Sequence, residues 1–124
     1  MSRPSRSQLL LTERALTDIE AIFGYSVEQW GKRTADKYLD DIEAGLQRIQ
    51  EQPSLLKAEV GLHPSLQFYR VNRHVLACDV RPKTIIVLTV IHSSMDIPAR
   101  LAELQPTLVA EVELLHRKLA AKRH

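Results

Sequence analysis

The stretch Thr84-Ile-Ile-Val-Leu-Thr-Val-Ile91 is apolar at every position except its two threonines. Successive side chains of a strand point to opposite faces, so a strand with one wet face alternates apolar and polar residues. A run that is apolar throughout has to be covered on both sides or sit centrally in a sheet. This segment is therefore the expected anchor of the core, and the remaining chain must supply its neighbouring strands and covering layers.

Two more strands are expected just before it, Leu66 to Val71 and His74 to Val80, joined tightly through Asn72 and Arg73. Asparagine tolerates the left-handed backbone of a short hairpin. Arg81-Pro82-Lys83 forms the next turn. At the other end of the chain, Gln8 to Leu11 makes a short apolar strand, and Thr12 then offers an N-cap hydroxyl, with Glu13 where the helix dipole favours an anion. The first helix carries Leu16, Ile19, Ile22, Phe23, Val27 and Trp30 at spacings of threes and fours, a single packing stripe from which Asp18, Glu20 and Glu28 are expected to point away. Gly31 ends it. A second helix presents Ala35, Tyr38, Leu39, Ile42, Leu46 and Ile49 on one face and stops before Pro53, because proline disfavours helix at the residue preceding it.

The stretch from Pro53 to Ser65, with Gly61 and Pro64, loses periodicity and reads as a loop from helices to sheet. Beyond the long strand, Asp96 and Pro98 suit a helix start and Pro106 a restart. Leu108, Val112, Leu115 and Leu119 then form a narrow apolar seam, too short to stand alone in water. It has to pack on its own domain, on a second copy or on a partner. The expectation is an α+β fold: an N-terminal strand, an antiparallel two-helix hairpin packed on a small, mainly antiparallel four-stranded sheet, and a helical C-terminal tail. At 124 residues and 44% apolar content the chain can bury one core but not two. Residues 1–97 are read as the domain and 98–124 as its helical extension.

Composition narrows the function classes. No stretch approaches the roughly 20 apolar residues of a membrane span, and the opening MSRPSRSQ is no secretory leader, so the cytoplasm is the expected compartment. Cys78, the sole cysteine, lies within a strand pattern where a thiol packs as a small hydrophobe. His63 and His74 have no companions at ligand spacing, so no metal or cofactor is assigned. Up to Pro64 there are 8 Lys/Arg against 10 Asp/Glu, and from Ser65 onward 9 against 5, so the positive field belongs to the second half. A surface of that kind faces nucleic acid, a ribosome or an acidic protein, and does not choose among them.

Four segments taken in order, LTERALTDIEAIFGYSVEQWG, TADKYLDDIEAGLQRIQEQP, FYRVNRHVLACDV and TIIVLTVIHSSMDI, resemble the RelE/ParE toxin superfamily over Leu9 to about Ile97. The spacing of Asp18-Ile19, Ile22 and Tyr25 into Trp30-Gly31, the Ala35 and Tyr38 pair, Pro53, and His92 followed by Met95-Asp96 carry the likeness. For Ile19, Ile22, Trp30, Ala35 and Tyr38 the plain reading is core or hairpin packing. Cys78 and Asp79 stand where relatives often carry an aromatic and a basic residue, and the tail past Leu101 exceeds the usual family length.

The resemblance implies the toxin of a type II toxin–antitoxin system, bound by a cognate antitoxin as a hetero-oligomer, with a homodimer equally open. RelE-type relatives cleave messenger RNA on the ribosome without a metal, which needs a base for the 2′-hydroxyl proton and cations for the charge on the phosphate. If the chain is such a nuclease, the candidates are His92, Arg70, Arg73 and His74. They are few, and no tyrosine follows Tyr69 and no lysine lies between Lys57 and Lys83. ParE-type relatives instead bind DNA gyrase and trap it with cleaved DNA, and the His92, Met95-Asp96 ending resembles that branch. Arg70, Arg73, His74, His92 and Arg100 would then be a basic target-binding rim, with Trp30, Tyr38 and Asp96 as structural residues. The plain reading is a solvated surface for the arginines and, for His92, a strand-end cap bonded to Asp96. A third reading is a non-toxic module that still binds an antitoxin. The apolar seam generates one prediction at this level: truncation after Glu103 lowers thermal stability or changes the oligomeric state, as read by melting curves and light scattering.

Overall fold

The computed structural model describes residues 7–59, 65–104 and Arg117. Gln8–Leu11 is β1, Glu13–Trp30 α1 and Lys32–Glu51 α2, followed by a 3-10 turn over Pro53–Leu55. The remaining strands are β2 (Lys57–Ala58), β3 (Leu66–Val71), β4 (His74–Arg81) and β5 (Thr84–His92). Residues 97–104 are helical. The strands form one sheet in the order β1-β5-β4-β3-β2, with β1 parallel to β5 and every other pair antiparallel. The expected α+β arrangement holds, with one addition. The Pro53 to Ser65 loop reaches back to the sheet and contributes β2, a fifth strand of two residues against Phe68 and Gln67. Two residues are too few to show the alternation by which a strand is read.

β5 is buried from Thr84 to Ile91 and lies between β1 and β4, as its composition requires. Ile85, Val87 and Val90 face the helices and join Ala15, Ile42, Ile49, Val71, Leu76 and Cys78 in the main core. On the opposite face, Ile91 meets Phe68, Val75, Ala77 and Leu101, while Ile86 and Leu88 meet Leu104. The helix at 97–104 therefore covers the second face. Between Ala77 and Cys78 the β4–β5 register slips, Ala77 opposing Thr89 and Cys78 opposing Val87, so Leu88 is an extra residue on β5. Cys78 is fully buried, and burial, reinforced by Asp79 beside it, pushes its thiol up to about 12. It is packing material, not a nucleophile.

The α1 stripe requires correction. Leu16 and Trp30 are about half exposed, while Ala15 and Ser26 are buried and Asp18 turns towards the sheet. Small residues seat the helix close to β5, Ile19 and Ile22 pack against the core beside them, and Leu16 and Trp30 fall to the flank. The two helices meet at Gly31, whose φ of 88° serves at once as the end of α1 and the start of α2. Asn72 takes the left-handed backbone at φ 54°, as its place in the β3–β4 hairpin anticipates. The seam from Leu108 to Leu119 and the loop residues Gly61, His63 and Pro64 lie outside the described residues. Among the described residues no helix is long and apolar enough to cross a membrane.

The glycines give opposite predictions. A Cβ on Gly45 would lie 2.6 Å from Val71 Cγ2, against a stiff, buried valine, whereas one on Gly24 would meet nothing within 4 Å. Gly45→Ala is expected to cost about 1–3 kcal/mol through overpacking, and Gly24→Ala to stabilise by up to about 1 kcal/mol through helix propensity. Chemical denaturation of the two variants tests both signs.

A candidate interaction site at the strand ends

The upper end of the sheet gathers polar groups from four elements. His74 opens β4 and pairs across the ladder with His92, which closes β5. Their rings meet edge to face, with centroids 5.1 Å apart and planes at 80°. Tyr38 of α2 stands over His74 at 5.5 Å and 84°. Its hydroxyl accepts from Arg73 N at 3.2 Å and is hydrogen-bonded to His74 Nδ1. The Asn72 side-chain amide donates to Asp41 Oδ2 at 2.9 Å, so the hairpin turn is pinned to α2 at two points.

Hydrogen bonding fixes where the protons sit. A backbone N–H can only donate, so Ser94 N at 3.1 Å makes His92 Nδ1 an acceptor, a role the Ser94 hydroxyl reinforces at 2.7 Å. Neutral His92 thus carries its proton on Nε2. Tyr38 oxygen accepts from Arg73 N and is also bonded to His74 Nδ1, so that ring nitrogen is occupied within the protein in either tautomer. Burial, with repulsion from His92 second, holds His74 down at about 4, against a weaker opposing pull from Asp18. Burial also raises the Tyr38 phenol, opposed by the Arg73 N–H and charge. His74 is therefore a neutral ring near pH 7, and the Nδ1 of each ring is engaged inside the protein.

Asp18 enters from α1. Its Oδ2 accepts from Val90 N at 3.0 Å and from the Thr89 hydroxyl, and Arg14 stands 3.8 Å from its Oδ1. This carboxylate was expected on the outer face of α1. Its i, i+4 relation to Arg14 disguises it in the sequence as an ordinary helix-surface pair.

The proposed rim divides. Arg73, His74 and His92 come together, joined by Tyr38, whose place in the cluster is not readable from its position on an apolar helix face. Arg70 lies on the face of β3 shared with Phe68, away from the helices, and its Nε donates to Asn72 O at 2.9 Å. Arg100 belongs to the helix on that second face and pairs with Glu103 at 3.0 Å. Trp30 is exposed and meets Tyr25 edge to face at 5.8 Å, so it is not a packing residue of the hairpin. Asp96 Oδ1 accepts from Ala99 N at 3.1 Å, standing as the cap of the helix at 97–104, and the local partner of His92 is Ser94. Among the described residues no three metal-ligating side chains converge.

Comparison with known proteins follows this geometry. The sequence profile for the ParE toxin of type II toxin–antitoxin systems, parDE, matches residues 9–97. Toxin ParE of Escherichia coli is 28% identical over 95 residues, covering 76% of this chain and 92% of that protein. Toxin ParE1 of Caulobacter vibrioides is 28% identical over 91 residues, 73% of this chain and 94% of that protein. Among solved structures, the chromosomal ParDE TA system from P. aeruginosa superposes with a TM-score of 0.61 at 20% identity, covering 70% of this chain and 96% of that one. The RelBE2 toxin–antitoxin complex of Mycobacterium tuberculosis gives 0.52 at 14% identity, covering 74% and 97%. These two show a shared fold.

The depressed His74 predicts a pH window. Between about 4 and 6.5 the unfolded chain holds a proton that the folded site resists, so this contribution to stability is complete above 6.5 and is lost as pH falls towards 4. Melting temperature should begin to drop below pH 6.5, before carboxylates titrate, and an NMR titration should place the His74 midpoint near 4.

Proposed function

Because the chain belongs to the ParE toxin family of type II toxin–antitoxin systems, matched over residues 9–97, we propose that it inhibits DNA gyrase by binding, trapping the enzyme with cleaved DNA, and that a cognate antitoxin neutralises it in the cytoplasm. The observation that favours binding over ribonuclease chemistry is the state of the two histidines. A general base needs a free lone pair within reach of the substrate proton. His74 and His92 both have Nδ1 engaged by protein groups, the Tyr38 hydroxyl and Ser94 N. Their rings also touch, at 5.1 Å between centroids, leaving no room for a phosphate between an acid and a base. What remains is a polar surface beside the Arg73 turn, suited to recognition.

Arg73, His74 and His92 are then the residues assigned to the target-facing surface, with Arg70 and Arg100 on the opposite side of the sheet. The antitoxin is read as a segment that folds on the toxin as it binds, as intrinsically disordered partners do. Purified protein is expected to inhibit gyrase supercoiling and to accumulate cleaved DNA, with relief by the antitoxin, while translating mRNA stays intact. Mapped A-site cuts with gyrase unaffected would instead establish the ribosome-dependent nuclease. Silence in both assays would leave an antitoxin-binding module.

A further inference from the structure

We propose that the tip of the α1–α2 hairpin is a nucleic-acid contact, in which Trp30 and Tyr25 offer stacking faces to unpaired bases and Arg33, Lys37 and Arg73 receive the phosphates. Tyr25 and Trp30 are 58% and 53% exposed, large costs in apolar surface for a chain with room in its core for isoleucines. Their edge-to-face contact, at 84°, covers one ring face of the four, because the ring that presents its edge keeps both faces free. Open aromatic faces beside cations are the arrangement on which single-stranded nucleic acid stacks without sequence preference.

The cations are placed for that use. Arg33 and Lys37 stand at i, i+4 on α2, a like-charge spacing that is mildly unfavourable by itself. Both are exposed, and neither is ion-paired among the described residues, since Asp36 is held by Lys32 at 2.9 Å. Lys37 precedes Tyr38, whose hydroxyl receives Arg73 N, so the β3–β4 turn brings Arg73 alongside the same stretch of α2. The result is a small group of cations, Arg33 and Lys37 on α2 with Arg73 on the adjoining turn. Glu28, exposed at the end of α1, bounds the group on one side, and Asp40 and Asp41, one turn beyond Lys37, bound it on the other. A protein pocket is the other occupant such a tip could enter. Arg33 and Lys37, exposed and without ion pairs among the described residues, within two turns of open ring faces, match a polyanion better.

This inference does not depend on gyrase being the target, and Trp30, the only tryptophan, reports on it directly. Titrating the full chain with a twelve-residue oligothymidine should quench Trp30 fluorescence. With three phosphate contacts on a single strand, the apparent affinity should fall about twentyfold between 50 and 200 mM salt. The double substitution R33E/K37E should abolish quenching with an unchanged circular dichroism spectrum, both residues being exposed. W30A should weaken binding of a labelled oligonucleotide at least fivefold by anisotropy. Absence of quenching, quenching indifferent to salt and to R33E/K37E, or quenching by gyrase protein but not by oligonucleotide would each overturn it.

Discussion

After Leu11 the chain leaves the sheet, and from that point β5 has no strand on its outer side among the described residues. The backbone groups of Val87, Leu88 and Val90 would be stranded in the interior, where an unmet polar group costs about 1–3 kcal/mol. Thr12 and Asp18 meet them. Thr12 N donates to Val87 O at 3.1 Å, the Thr12 hydroxyl donates to Leu88 O at 2.7 Å, and the same oxygen accepts Ala15 N at 3.0 Å to start α1. One turn on, Asp18 takes Val90 N. Two side chains of α1 and its cap thus complete a strand edge that β1 is too short to complete. Because Leu88 is the extra residue of the bulge, the threonine also holds the point where the register changes.

That coupling places the polar cluster. With α1 fixed to the upper half of β5, α2 returns with Tyr38 over the β3–β4 turn, and the two strand-terminal histidines close against it. The surface depends on α2 docking from one side and on β4–β5 register from the other. The surface is rigidly positioned, with the Nδ1 of His74 and of His92 both held within the protein.

The fold was largely legible because its signals are local or periodic. The apolar run at Thr84 to Ile91, the Thr12 cap, the Asn72 turn and Gly31 each follow from a pattern contained within a few residues. The misread positions are those where tertiary context overrules the pattern. Leu16 and Trp30 continue the spacing of Ile19 and Ile22, yet Ala15 and Ser26 let α1 approach β5 closely and turn those larger residues outward. Asp18 looks like a surface partner of Arg14, and only the absence of a strand beside Val90 explains its inward turn. Tyr38 and His74 lie 36 positions apart, so their bond has no sequence signature, and the division of Arg70 from Arg73 comes from strand alternation meeting a turn.

The sheet's outer margins are also short, four residues in β1 and two in β2. A long, flat, unpaired strand is a template on which other chains add by backbone hydrogen bonding. Here β4 is interior, while among the described residues β2 covers only Phe68 and Gln67 of β3 and β1 only the first half of β5, whose remaining edge is closed by Thr12 and Asp18. The stretch of β3 from Tyr69 to Val71 is short, so copies of the toxin meeting in a crowded cell gain little from stacking edge to edge into fibres.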